Sequence, residues 1–100
     1  MVNTYLNLSH DDMAITKVIN NTISNFNSNM PESEFKRLII ELDNIYDGSL
    51  SEFDEDIICD FQNNLYRMYP KLVDRFVGDN TPMNGQTLGE HMYFIRGISL

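Results

Sequence analysis

Eight carboxylates stand within twenty residues, at Glu41, Asp43, Asp47, Glu52, Asp54, Glu55, Asp56 and Asp60, with no lysine or arginine among them. The formal net charge of the 100-residue chain is −8, and the eighty residues outside this block hold seven acids against seven bases. The charge is therefore local. A concentrated field of one sign attracts and holds a basic partner, and solubility alone does not require it.

Helix physics accounts for part of the block. Glu52, Asp54 and Glu55 fall in the first turn of an expected helix, where anions gain about 0.3–1 kcal/mol each from the macrodipole. Asp56 and Asp60 continue an i,i+4 series of like charges from Glu52, each pair unfavourable by roughly 0.2–0.5 kcal/mol. Glu41, Asp43 and Asp47 sit at the C-terminal end of the preceding helix, where the dipole disfavours them. Five carboxylates thus occupy positions that folding alone does not favour. The competing explanation is a solvated face whose small cost is tolerated, or one neutralised by Arg67 or Lys71 from elsewhere in the fold. The expected contact set is Glu41, Asp43, Asp47, Asp56 and Asp60, with Tyr46 and Tyr66 as the aromatic anchors.

Other chemistry is thinly supplied. Set against a calcium-binding loop with Gly48 at the sharp turn, Asp43, Asp47, Ser49, Ser51 and Asp54 fall on ligand positions, but Ile45 occupies the third. A helix end meeting a serine-capped helix start explains the same residues without metal, and no metal or cofactor is expected. His10 and His91 are the neutral-pH bases available, and neither shares a local motif with a nucleophile. His10 with Asp11 and Asp12 fits the start of a capped helix as well as a metal site. Cys59 is read as a semi-buried small residue whose pKa the nearby carboxylates would raise. A glycine-rich phosphate loop and a His/Cys metal spacing are both missing from the sequence. An enzyme is not expected. The basic-aromatic run from Tyr66 to Lys71 is too small to outweigh −8, so direct nucleic-acid binding is not expected either.

The elements that must position these residues are helical. Ser9 with Asp12 reads as a capping box, and Ile15, Val18, Ile19, Ile23 and Phe26 give a buried stripe for a helix from about His10 to Phe26. Pro31 opens a second helix with Phe35, Leu38, Ile39, Leu42 and Ile45 inward, closed by a left-handed Gly48. Ser49 or Ser51 caps a third, with Phe53, Ile57, Phe61, Leu65 and Met68 as its buried face, and Pro70 stops or kinks it. Leu72, Val73, Phe76 and Val77 suggest a short fourth helix. After a turn-rich loop from Asp79 to Gly85, Thr87 and Glu90 form another capping box ahead of Leu88, Met92 and Ile95. The stretch from Met92 to Ile98 is also aromatic and β-branched enough for a terminal strand. The expected architecture is a single all-α domain over residues 1–100, a small bundle of four to five helices with a possible short terminal strand. One cysteine, no basic–apolar leader and no long apolar stretch point to a cytoplasmic protein outside the membrane.

Placed on these helices, the run from Glu34 through Glu41-Leu-Asp43 and the Asp47-Gly-Ser-Leu-Ser51 turn to Glu52 resembles the central segment of immunity proteins from bacterial contact-dependent growth inhibition systems. Tyr5 with His10-Asp11 is similar to that family's aromatic-His-Asp start, and Tyr93 to Leu100 to its closing amphipathic helix. The tryptophan often found in that closing helix is absent here. The resemblance implies a cytosolic inhibitor of a toxin domain delivered by a neighbouring cell, often a basic nuclease, with no catalytic residues of its own. Two alternatives share parts of the pattern. One is an acidic nucleic-acid mimic that blocks a DNA- or RNA-binding protein. The other is a carrier protein, since Asp47-Gly-Ser49-Leu50 resembles the Asp-Ser-Leu attachment site of acyl carriers with a glycine inserted.

Overall fold

The computed structural model describes residues 14–46 and 48–98. They form five helices: α1 (residues 14–24), α2 (Glu32–Ile45), α3 (Glu52–Met68), α4 (Pro70–Arg75) and α5 (Leu88–Ile98). The fold is all-α, and the terminal segment is helical where a strand was the alternative. Among the described residues the β pairing is a single bridge, Pro82 to Thr87.

Local signals set most boundaries. The Ser51 hydroxyl accepts from the Asp54 amide at 3.2 Å and caps α3. The Thr87 box closes in both directions, its amide donating to Glu90 Oε1 at 2.8 Å and its hydroxyl accepting from the Glu90 amide at 3.1 Å. Pro70 ends α3 and opens α4, where its fixed φ and missing N–H suit a first helical position. α2 ends earlier than the expected Gly48 cap: Tyr46 is its C-cap, in extended conformation, returning its amide to Leu42 O at 2.9 Å. Gly85 is the glycine with positive φ (78°) among the described residues, and it turns the chain into the bridge before α5. α1 ends two residues short of Phe26, tightened by bonds from Asn25 to Thr22 O and Phe26 to Ile23 O. The expected Ser9–Asp12 cap lies outside the described residues.

Phe26 and Phe35 organise the core. Phe26 meets Phe35 edge-on at 5.7 Å and Phe61 at 4.8 Å, while Phe35 stacks on Phe76 at 5.9 Å, and both reach Tyr69. Offset and edge-on aromatic pairs of this kind contribute about 0.5–1.5 kcal/mol beyond their burial. Ile19 of α1, Met30 ahead of α2, Leu38, Ile39 and Leu42 of α2, Ile58 and Leu65 of α3, Val73 of α4, and Leu88, Met92 and Ile95 of α5 are also buried in the interior. α3, α4 and α5 pack closely against one another. Gly89 lets α5 approach the 77–79 turn, because a Cβ there would lie 2.5 Å from Val77 O and 2.7 Å from Asp79 O.

Two helices turn a different face inward from the one expected. On α3 the buried positions are Asp54, Ile58, Phe61 and Leu65, whereas Phe53 and Met68 are exposed and Ile57 is half-buried. Stripes starting at Phe53 and at Asp54 both run into Phe61 and Leu65, so spacing alone does not choose between them. Asp54 settles the phase because its carboxylate is satisfied in the interior. It accepts from Thr16 Oγ1 of α1 at 2.6 Å and from the Ser51 hydroxyl at 3.1 Å. α1 docks the same way: Ile19, Thr22 and Phe26 are buried, Ile23 is half-buried, and Ile15 and Val18 are exposed. Thr22 returns its hydroxyl to Val18 O at 2.8 Å and so enters the core without an orphaned polar atom.

Candidate functional site

The eight-carboxylate block divides into engaged and free members. Asp54 is the buried tie between α3 and α1. Glu41 faces Arg37, at 2.8 Å in an i,i+4 pair, and lies 3.3 Å from the Thr22 hydroxyl. Its neutralising partner is thus Arg37, one turn earlier on the same helix, and among the described residues neither Arg67 nor Lys71 forms an ion pair. Arg37 also holds Glu34, and that hydrogen bond lowers the Glu34 pKa and raises that of Arg37. Asp43 projects from the opposite side of the buried α2 stripe. Its Oδ2 accepts from the Asn84 amide at 3.1 Å, pinning the loop before α5 against the end of α2. Asp47 lies outside the described residues.

The free members share one helix face. Glu52, Asp56 and Asp60 are exposed one turn apart along α3, and among the described residues no cation pairs with them. Phe53 stands beside them, i,i+3 from Asp56 and i,i+7 from Asp60, with 66% of its surface open. Of the expected contact set, then, Asp56 and Asp60 lie together here and Glu41 lies apart. Phe53, expected in the core, is the aromatic of this face. Tyr66 is half-buried, its hydroxyl 3.4 Å from Asp74, and Tyr69 belongs to the core aromatics.

Next to the acidic row on α3 runs a second row, Glu55, Cys59 and Gln62, of which Cys59 and Gln62 line a groove of about 400 Å³. Asp43 and Tyr46 from the end of α2 line one side, with His91 and Phe94 of α5 and Gln86 of the preceding loop on the other. His91 is only 6% exposed, with Gln62 Nε2 at 3.4 Å from its Nε2 and Gln86 Nε2 at 3.2 Å from its Nδ1. Burial lowers its pKa, and the Asp43 carboxylate opposes that shift. Tyr46, 39% exposed, has its hydroxyl 4.0 Å from Cys59 Sγ. The Cys59 contact, with Glu55 adding its charge, raises the tyrosine's pKa. Phe94 is 57% exposed at the rim.

Both imidazole nitrogens of His91 lie within hydrogen-bond distance of a glutamine side-chain amide. Among the described residues no group of three or more His, Cys, Asp or Glu side chains is placed to hold a metal ion, and no helix is long and apolar enough to cross a membrane. His10 and Asp11 lie outside the described residues.

Sequence periodicity misses Phe53, His91, Gln62, Gln86 and Phe94. A signal existed for Phe53: an aromatic followed by carboxylates at i+3 and i+7 sits on an anionic helix face under one of the two possible α3 phases. For His91 and the glutamines no local signal exists, because the groove is made by three segments far apart in the chain. No protein-family model, curated protein or solved structure matches this chain.

Proposed function

We propose that this protein is a stoichiometric inhibitor that binds a basic protein domain through the outer face of α3, in the manner of an immunity protein holding a toxin. The observation that carries this reading is the row Glu52, Asp56 and Asp60, exposed and without a cationic neighbour among the described residues, beside the exposed Phe53. Glu52 gains from the start of α3, but the fold gains nothing from Asp56 and Asp60 continuing the row, and a partner rich in lysine and arginine turns the same charges into attraction and a steered on-rate. Phe53 supplies the desolvated anchor that charge alone lacks. Tyr46 and Asp43, one row away at the groove, extend the contact surface. The diffuse resemblance to contact-dependent growth inhibition immunity proteins supports the same class, with a basic nuclease as the partner and the cytoplasm as the place of action.

The test is functional titration. The protein coded by the adjacent gene is assayed for nuclease activity while this protein is added. The reading requires loss of activity that reaches its endpoint at one inhibitor per toxin. Undiminished activity at several-fold excess of folded inhibitor refutes it.

A further inference from the structure

The groove between α2, α3 and α5 has features that the outer face of α3 lacks. Its opening is flanked by two partly exposed aromatic rings, Tyr46 and Phe94. Its wall carries the Asp43 carboxylate, one oxygen of which serves Asn84, while among the described residues no lysine or arginine lines the space. Its interior is closed by a buried imidazole held between two amides, and burial lowers its pKa. Desolvation that disfavours the charged ring also lessens its repulsion of an incoming cation. Aromatic faces attract a cation, most strongly a planar delocalised one, and a carboxylate beside them fixes its orientation.

We propose that this groove receives an arginine side chain of the basic partner, the guanidinium lying against Tyr46 and Phe94 and donating to Asp43. Arginine fits better than lysine because its planar fork both stacks on rings and pairs with a carboxylate, and because it is more weakly hydrated and gives up its water more readily. The inference rests on the functional reading above and names the group that reading leaves unspecified. The acidic row on α3 gathers the partner by long-range charge, and the adjacent groove selects one residue of it.

The full-length chain is titrated with N-acetyl-arginine amide, a probe independent of any partner, and side-chain and amide resonances are followed by NMR. Expected is a saturable response at Tyr46, Gln62, His91 and Phe94 at millimolar probe, absent with the neutral isostere N-acetyl-citrulline amide. Asp43→Asn keeps an oxygen for the Asn84 amide and removes the charge, and it should weaken binding roughly tenfold, the scale of one hydrogen bond to a charged group. Phe94→Ala, at an exposed position, should weaken it without loss of fold. The proposal is overturned by an absent or unsaturable response in folded protein, by equal response to citrulline, by affinity unchanged in Asp43→Asn, or by shifts confined to Asp56 and Asp60. Where the groove fails and the toxin titration still reaches its one-to-one endpoint, the inhibitor reading stands without the arginine pocket.

Discussion

Truncating Phe53 and Ile58 in the same helix separates the two possible faces of α3. Ile58 has no exposed surface. Its change to alanine removes three buried carbons and leaves a cavity, for a loss of about 2–5 kcal/mol. Phe53 has only about a third of its surface covered. Full burial of phenylalanine is worth about 1.5–3 kcal/mol, so the covered third supplies ~0.5–1 kcal/mol, and alanine's higher helix propensity returns roughly half of it. Phe53→Ala should therefore lower stability by under about 1 kcal/mol, at least ~1 kcal/mol less than Ile58→Ala. Urea unfolding followed by far-UV circular dichroism reads both, with a common slope m as the check that the unfolded state is unchanged. If Phe53→Ala destabilises as much as Ile58→Ala, the helix is rotated, Phe53 is a core residue and the proposed anchor does not exist.

Three further outcomes follow from the packing and the titrating groups. Gly89→Ala forces a Cβ against two backbone carbonyls and should lower stability by about 2–3 kcal/mol, visible as an early midpoint in the same urea experiment; a midpoint at the wild-type value contradicts the close approach of α5 to the 77–79 turn. Asp54→Ala strips the Thr16 and Ser51 hydroxyls of a buried acceptor and should cost about 1–3 kcal/mol, with faster amide exchange in α1, whereas unaltered exchange there would sever the proposed tie. His91 has its pKa depressed in the fold, so below its unfolded value of about 6.5 the unfolded chain takes up a proton that the folded chain refuses. Its contribution is intact above that pH and is lost as pH falls through the folded value, at up to ~1.4 kcal/mol per pH unit. The stability difference between pH 7.5 and 5.5 should shrink in His91→Gln, and an equal difference in variant and wild type would place His91 in solvent.

Much of this fold is written in local chemistry. The serine and threonine caps at Ser51 and Thr87, the Pro70 boundary, and the α2 stripe of Phe35, Leu38, Ile39 and Leu42 are each set by residues within one or two turns, and all are legible in the sequence. Rotational phase is not. On α3 two stripes share Phe61 and Leu65, and the choice between them turns on whether Asp54 finds partners inside, which depends on Thr16, 38 residues away in sequence. The acidic block is legible as a concentration of charge but not as two populations. The Arg37–Glu41 spacing of four residues is an available sign that Glu41 is neutralised at home. The groove lies beyond sequence reasoning, because Asp43, Gln62 and His91 meet only once α2, α3 and α5 have packed.

The outer face of α3 is tested most directly by calorimetric titration of the protein coded by the adjacent gene with the wild-type chain and with the Glu52→Gln, Asp56→Asn, Asp60→Asn triple variant, at low and high salt. The three positions are exposed, so the variant should fold normally. Binding should weaken roughly tenfold to a hundredfold in the variant at low salt, and the gap should narrow as salt shortens the screening length from about 30 Å at 0.01 M to about 8 Å at 0.15 M. Equal affinity of wild type and variant at both salt concentrations would contradict the account.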